Sequence, residues 1–171
     1  KREPDYQTLK AVADFFGVTT DYLLGRTDDP RGMVLPRNAW KAGPMVRVPV
    51  LGVIRAGLPI YADEQLIGWQ ELPSEWVKDG EYFLLRVTGD SMIGDNIPPG
   101  SLVLVRRQDY IEDGKTGIVI VNGEEATVKR VRFKEGMVLL YPANPKYETQ
   151  VYPASEVKII GKVVKTVIDN E

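Results

Sequence analysis

Apolar and polar positions change rhythm along this chain. In "DYQTLKAVADFFG", Tyr6, Leu9, Val12, Ala13 and Phe16 recur at helical spacing, and Gly17 is placed to stop that helix. Thr19 or Thr20 caps a second short helix through Tyr22, Leu23 and Leu24, which Gly25 ends. From Met45 onward the spacing is that of strands. "MVRVPVLGVI" alternates, "YFLLRV" and "SLVLVRR" are short strand-like runs, and "TGIVIVNGEEATVKRVRF" is two runs around an Asn-Gly turn. "GMVLLYP" and "EVKIIGKVVKTVI" bring the count to at least seven strands. The predicted class is mostly β: a mostly antiparallel, partly closed β domain over 45–171, preceded by two short helices in 1–24. Residues 25–44, with three prolines and three glycines, read as a linker in which Trp40 is the only large aromatic and packs on a nearby surface. Two such short helices cannot bury a stable core, so the chain is expected to begin inside a domain whose first part is missing.

Composition narrows the chemistry more than the fold. The 171 residues suffice for one domain plus a fragment, and 43% hydrophobic with 27% charged residues is ordinary for a globular protein. A net charge of −2 is no nucleic-acid footprint for the chain as a whole. No apolar run approaches the roughly 20 residues that span a bilayer, and "KREPDYQTLK" is not a secretory signal. With no cysteine there is no disulfide framework, and a cytoplasmic location is expected. The absence of both histidine and cysteine removes the usual zinc ligands. The acids are scattered without EF-hand spacing, and no phosphate-binding glycine motif follows a strand, so no metal or cofactor is expected. A carboxylate-only Mg²⁺ or Ca²⁺ site stays open. Without long helical stretches in the β part, Rossmann and TIM architectures are excluded.

"VTGDSMIGDNIPPGSLVLVRR" sets Ser91 at the tip of a loop between two apolar runs. A serine there suits a turn, and Asp90 beside it reads as a turn former. It also suits a nucleophile, but without histidine any base must be a carboxylate or a perturbed lysine. In "EATVKRVRF", Thr127, Lys129, Val131 and Phe133 share one face, while Ala126, Val128, Arg130 and Arg132 share the other. Burial of the first face would depress the Lys129 pKa and free its amine to accept a proton. Alternation does not decide which face points inward, and a solvated lysine is the competing reading.

"GDSM", followed by "IPPGSLVLVRR" and then "EATVKRV" with Lys129 thirty-eight positions after Ser91, resembles the catalytic core of the LexA-type serine peptidases, which include LexA, lambda-type phage repressors and UmuD. The resemblance spans roughly residues 45–171. It implies Ser91 as nucleophile, Lys129 as general base, and an oxyanion hole using the backbone N–H of Ser91 and that of Asp90. Family members that cut themselves do so at an Ala-Gly or Cys-Gly bond upstream of the serine. "VPVLGVIRAGLPI" supplies Ala56 and Gly57, thirty-five residues before Ser91. A small Ala56 lets its carbonyl approach the nucleophile, and Gly57 permits an unusual backbone turn. Val50, Leu51, Val53 and Ile54 would dock the segment like an added strand, with Leu58, Pro59 and Ile60 shaping its exit. A plain strand followed by an Ala-Gly turn is the alternative.

"REPDYQTLKAVADFFGVTTDYLLGRTDDP" resembles the closing helices of the helix-turn-helix domain of phage and plasmid repressors, whose recognition helix would precede Lys1. The resemblances together imply a transcriptional repressor, of SOS or prophage type, inactivated by self-cleavage at Ala56–Gly57. Its partners would be operator DNA through the missing N-terminal part, a RecA filament as co-protease, and a second copy in a homodimer. The alternatives are a repressor whose β domain only dimerises or senses a ligand, and a peptidase acting on other proteins like the related signal peptidases. The basic run "VKRVRFKEG" is read as a solvated or mixed surface, and Trp69 and Trp76 as core or interface anchors.

Overall fold

The computed structural model describes residues 5–31 and 43–167. Most of the predicted linker, Trp40 included, lies outside the described residues. The chain divides into two compact units, residues 1–41 and 42–171.

In the first unit, α1 (Tyr6–Phe16) starts at Asp5, whose carboxylate accepts from Thr8 N–H, and ends at Gly17 with a left-handed φ of 64°. α2 (Thr20–Leu23) is capped by Thr19, whose hydroxyl accepts from Tyr22 N–H. Ala13 is buried, while Tyr6, Phe15 and Phe16 stand exposed.

In the second unit nine strands form one sheet: β1 (Met45–Leu51), β2 (Leu66–Pro73), β3 (Tyr82–Arg86), β4 (Leu102–Arg107), β5 (Thr116–Val121), β6 (Thr127–Lys134), β7 (Met137–Tyr141), β8 (Gln150–Pro153) and β9 (Val157–Val167). Their order is β2-β1-β3-β4-β9-β5-β6-β7-β8. Every pairing is antiparallel except the short β1–β3 contact. The mostly β expectation holds, and the two strands it omitted are the two edges. β2 buries only Leu72, and β8 buries nothing, so neither carries the apolar alternation that announces a strand. β1 also stops at Leu51, short of the apolar run that continues to Ile54.

The central apolar cluster, with Leu51, Phe83, Met92, Val103, Ile118 and Val128 among its members, fills one side of the sheet. Two smaller clusters, around Leu84 with Leu104 and around Val131 with Leu140, fill the other regions. β6 is therefore buried on both faces: Val128 faces the first cluster and Val131 the third. Trp76 packs half-buried on the cluster of Leu84. Trp69 is no core anchor; it is 53% exposed on β2, with the Arg47 guanidinium 5.5 Å from its ring centroid.

The β5–β6 hairpin turns at Asn122 and Gly123, with φ of 51° and 73°, the conformation an Asn-Gly pair tolerates. Its arms pair only as far as Val119–Thr127. Beyond that they part: Ala126 N–H donates to Ile54 O at 2.8 Å, and Arg55 bridges Glu125. The segment after β1 thus lies against the hairpin tip, and the sheet itself is open, with β2 and β8 as its edges. Among the described residues, no helix is long and apolar enough to cross a membrane.

Candidate active site

The loop carrying Ser91 joins β3 to β4 and is fastened at its base, where Val87 N–H donates to Ser101 O and Gly100 N–H to Val87 O. Met92 and Ile97 plug into the central cluster, 1% and 3% exposed. The neighbour of the nucleophile candidate is therefore a hydrophobic anchor, which accounts for the serine-methionine pair seen in the sequence. Ser91 itself is half-buried between two depressions. One, of about 700 Å³, is lined by Lys129, Glu125, Lys146 and Tyr147. The other, of about 200 Å³, is lined by Gly52, Val53, Ile54 and Thr127.

β6 brings Lys129 to the same place. Its amine donates to Thr127 Oγ1 at 2.9 Å, Ser91 Oγ at 3.0 Å and Val128 O at 3.2 Å. Among the described residues no carboxylate forms an ion pair with it. Desolvation is unopposed there, and it holds the lysine pKa below its usual value. The alternation left the inward face of β6 open, and burial on both faces explains why. Lys129 shares its side with Val131, yet its head reaches back to Thr127.

Protonated, the amine can donate to all three oxygens. Neutral, it has two N–H bonds, matched by Thr127 Oγ1 and Val128 O, and one lone pair for the Ser91 O–H to donate to. The geometry thus suits proton transfer from serine to lysine. The Ser91 N–H meets no protein acceptor among the described residues.

Ala56 and Gly57 are not brought to this pair. They line a separate cleft of about 670 Å³ with Arg107, Gln108 and Ile160, and line neither depression beside Ser91. Gly57 has a left-handed φ of 83°, so the chain does make an unusual turn there. Val50 and Leu51 are buried in β1 and Ile54 just beyond it, and Val53 and Ile54 line the smaller depression together with Leu85, Val87, Ala126 and Val128.

Residues 49–164 match the Peptidase S24-like family. The chain belongs to this family. It is 42% identical over 119 residues to a protein named LexA repressor from Rhodospirillum rubrum, a match covering 70% of this chain and 47% of that relative. It is 34% identical over 172 aligned positions to another LexA repressor, from Oleidesulfovibrio alaskensis, covering 92% of this chain and 83% of the relative. The chain thus spans about half the length of the first of these relatives. Fold and family agree: the S24-like match begins inside β1, ends inside β9, and encloses both Ser91 and Lys129.

The site also contains residues the sequence reading passed over. Thr127 was placed on the Lys129 face but given no part, and it holds the amine. In "YPANPKYETQ", which carries no recognisable motif, Asn144 Nδ2 donates to Asp90 O at 3.0 Å and to Asp90 Oδ2 at 3.2 Å. The Tyr147 hydroxyl donates to Asp90 Oδ1. That bond keeps the Asp90 carboxyl pKa below its usual value and raises that of Tyr147. Asp90 does form the turn, but it is gripped from outside it.

Of the basic run, Arg130 is exposed and pairs with Asp95, and Arg132 lies 5.8 Å from the Tyr141 ring centroid. Among the described residues, no group of three or more His, Cys, Asp or Glu side chains is arranged to hold a metal ion.

Proposed function

We propose that this chain is the self-cleaving part of a transcriptional repressor of LexA type, with Ser91 as nucleophile and Lys129 as general base. The observation that carries the reading is the 3.0 Å contact between Lys129 Nζ and Ser91 Oγ at an amine whose ammonium form burial disfavours. Neutral Lys129 takes the Ser91 proton as Oγ attacks the Ala56 carbonyl carbon. The tetrahedral intermediate collapses, the Ala56–Gly57 C–N bond breaks, and the Lys129 ammonium returns its proton to the departing Gly57 amine. Water, deprotonated by the same amine, then hydrolyses the Ala56 ester. The Ser91 N–H, which has no protein acceptor among the described residues, stabilises the oxyanion.

Because the substrate is part of the same chain, a modest base suffices; effective molarities of about 10⁵ M and above are reached in well-oriented intramolecular reactions. In the described arrangement Ala56 and Gly57 sit in their own cleft, so cleavage requires the segment to leave it and cross Ser91. A partner that favours the docked arrangement would act as inducer. By family resemblance that partner is a RecA filament. Cutting at Ala56 would part the operator-binding helices from a dimerising β domain and reduce avidity for DNA, all within the cytoplasm.

The separation of Ala56 from Ser91 also favours a second reading, a repressor whose β domain dimerises without cutting. Intact mass after prolonged incubation in mildly alkaline buffer tests the choice. Self-cleavage gives fragments 1–56 and 57–171 from the unaltered chain and none from Ser91→Ala or Lys129→Ala. An intact unaltered chain, with or without an added RecA filament, supports the second reading.

A further inference from the structure

We propose that Asn144 is a positioning residue for the oxyanion hole: by holding the Asp90 carbonyl, it sets the direction in which the Ser91 N–H points. The inference rests on the self-cleavage reading above. Asp90 O accepts from Asn144 Nδ2 at 3.0 Å and from Ile93 N–H at 3.3 Å. The Asp90–Ser91 peptide is planar and trans, so its N–H lies opposite its C=O. A carbonyl held on Asn144 therefore turns the Ser91 N–H away from Asn144. Asn144 is 7% exposed and lines neither depression beside Ser91, so a Ser91 N–H turned away from it is turned away from this buried side.

The clamp has more than one point of hold. Ala143 N–H donates to Ser91 O at 2.8 Å, and Gly94 N–H donates to Ala143 O at 2.7 Å. Asn144 is itself fixed, since its Oδ1 accepts from Lys146 N–H at 3.1 Å. Tyr147 grips only the Asp90 carboxylate, not the carbonyl that fixes the peptide plane. The two contacts therefore have different consequences. Losing the Asn144 amide leaves the Asp90 carbonyl on the longer Ile93 N–H bond alone and loosens the peptide plane, whereas losing the Tyr147 hydroxyl leaves both carbonyl bonds in place.

The rate of self-cleavage against pH in the full chain separates these roles. Asn144→Ala is expected to lower the alkaline plateau about thirtyfold, short of the 10²–10³ that outright removal of an oxyanion donor costs. The midpoint of the profile, which reports Lys129, stays where it is. Tyr147→Phe is expected to keep the plateau within about threefold. If Asn144→Ala shows no cooperative melt, Asn144→Ser is measured against the same criteria. A plateau unchanged in the Asn144 variant overturns the proposal. So does an upward move of the midpoint with the plateau retained, which would put the effect on the amine, and so does an equal loss in Tyr147→Phe. Ser91→Ala is run alongside. If it still cuts, the self-cleavage reading fails and this one with it. If it stays whole while Asn144→Ala cuts at the unaltered rate, only the role of Asn144 falls.

Discussion

Lys129 and Ser91 meet at 3.0 Å, and among the described residues no carboxylate pairs with the lysine. A part-buried ammonium with no counter-charge is disfavoured, and the Ser91 hydroxyl can donate to the neutral form. The same arrangement costs stability and suits the amine to the proposed role of base.

Stability should follow that cost. A lysine whose folded-state pKa is lowered keeps fewer protons than the unfolded chain between the folded value and about 10.4. Stability therefore rises with pH through that window, because the unfolded state binds more protons there. Lys129→Met is expected to melt above the unaltered chain at neutral pH, with the gap narrowing as pH approaches that upper value. Thermal melts across the range check the slope, and a gap that widens with pH contradicts it.

Thr127 Oγ1 accepts from the Lys129 amine at 2.9 Å. Removing its hydroxyl withdraws an acceptor that favours the ammonium, so Thr127→Val should move the midpoint of the cleavage–pH profile downward. It should also lower the plateau by about tenfold, through loss of orientation. A midpoint that rises, or a profile identical to that of the unaltered chain, removes Thr127 from the mechanism.

The resting position of the cleavage segment has its own fastening. Arg55 and Glu125 form an exposed ion pair at 3.3 Å beside the Ala126–Ile54 hydrogen bond. Exposed pairs contribute about 0–1 kcal/mol. Glu125→Gln should leave the melting temperature nearly unchanged and accelerate uninduced cleavage by no more than about fivefold, the shift that such an energy permits. Slower cleavage would mean that the pair serves the docked arrangement instead.

Gly94 shows how tightly the nucleophile loop is clamped. A Cβ built there would stand 2.2 Å from Ala143 O, a backbone atom with little room to yield. Gly94→Ala should cost about 1–3 kcal/mol in denaturant melts and slow cleavage by displacing Ser91. Wild-type stability would show that the two loops can separate freely.

The strands legible in the sequence are those with an inward face. β3, β4 and β5 bury three or more residues each, and their apolar runs announced them. The edge strands β2 and β8 exist because a neighbour offers them hydrogen bonds, and backbone pairing leaves no pattern in side-chain types. The serine and the lysine were legible as candidates because both types carry chemistry and stand in a family's spacing. Asn144 was not, since an asparagine in a turn-rich stretch has many local uses. Only the folded chain carries it across 54 positions to Asp90. Of the two readings of Trp69, core or interface anchor, the structure removes the first: on an edge strand it stands exposed, with the Arg47 guanidinium over its ring.

The most direct test of the central claim follows the Lys129 side chain itself, by NMR titration of its labelled Cε–Nζ group, alongside the cleavage rate of the unaltered chain. The account predicts one midpoint for both, below the ordinary lysine value of about 10.4, with the rate half-maximal at that midpoint and level from about one pH unit above it. A Lys129 midpoint at or above the ordinary value, or a rate that stays flat while the lysine titrates, would contradict it.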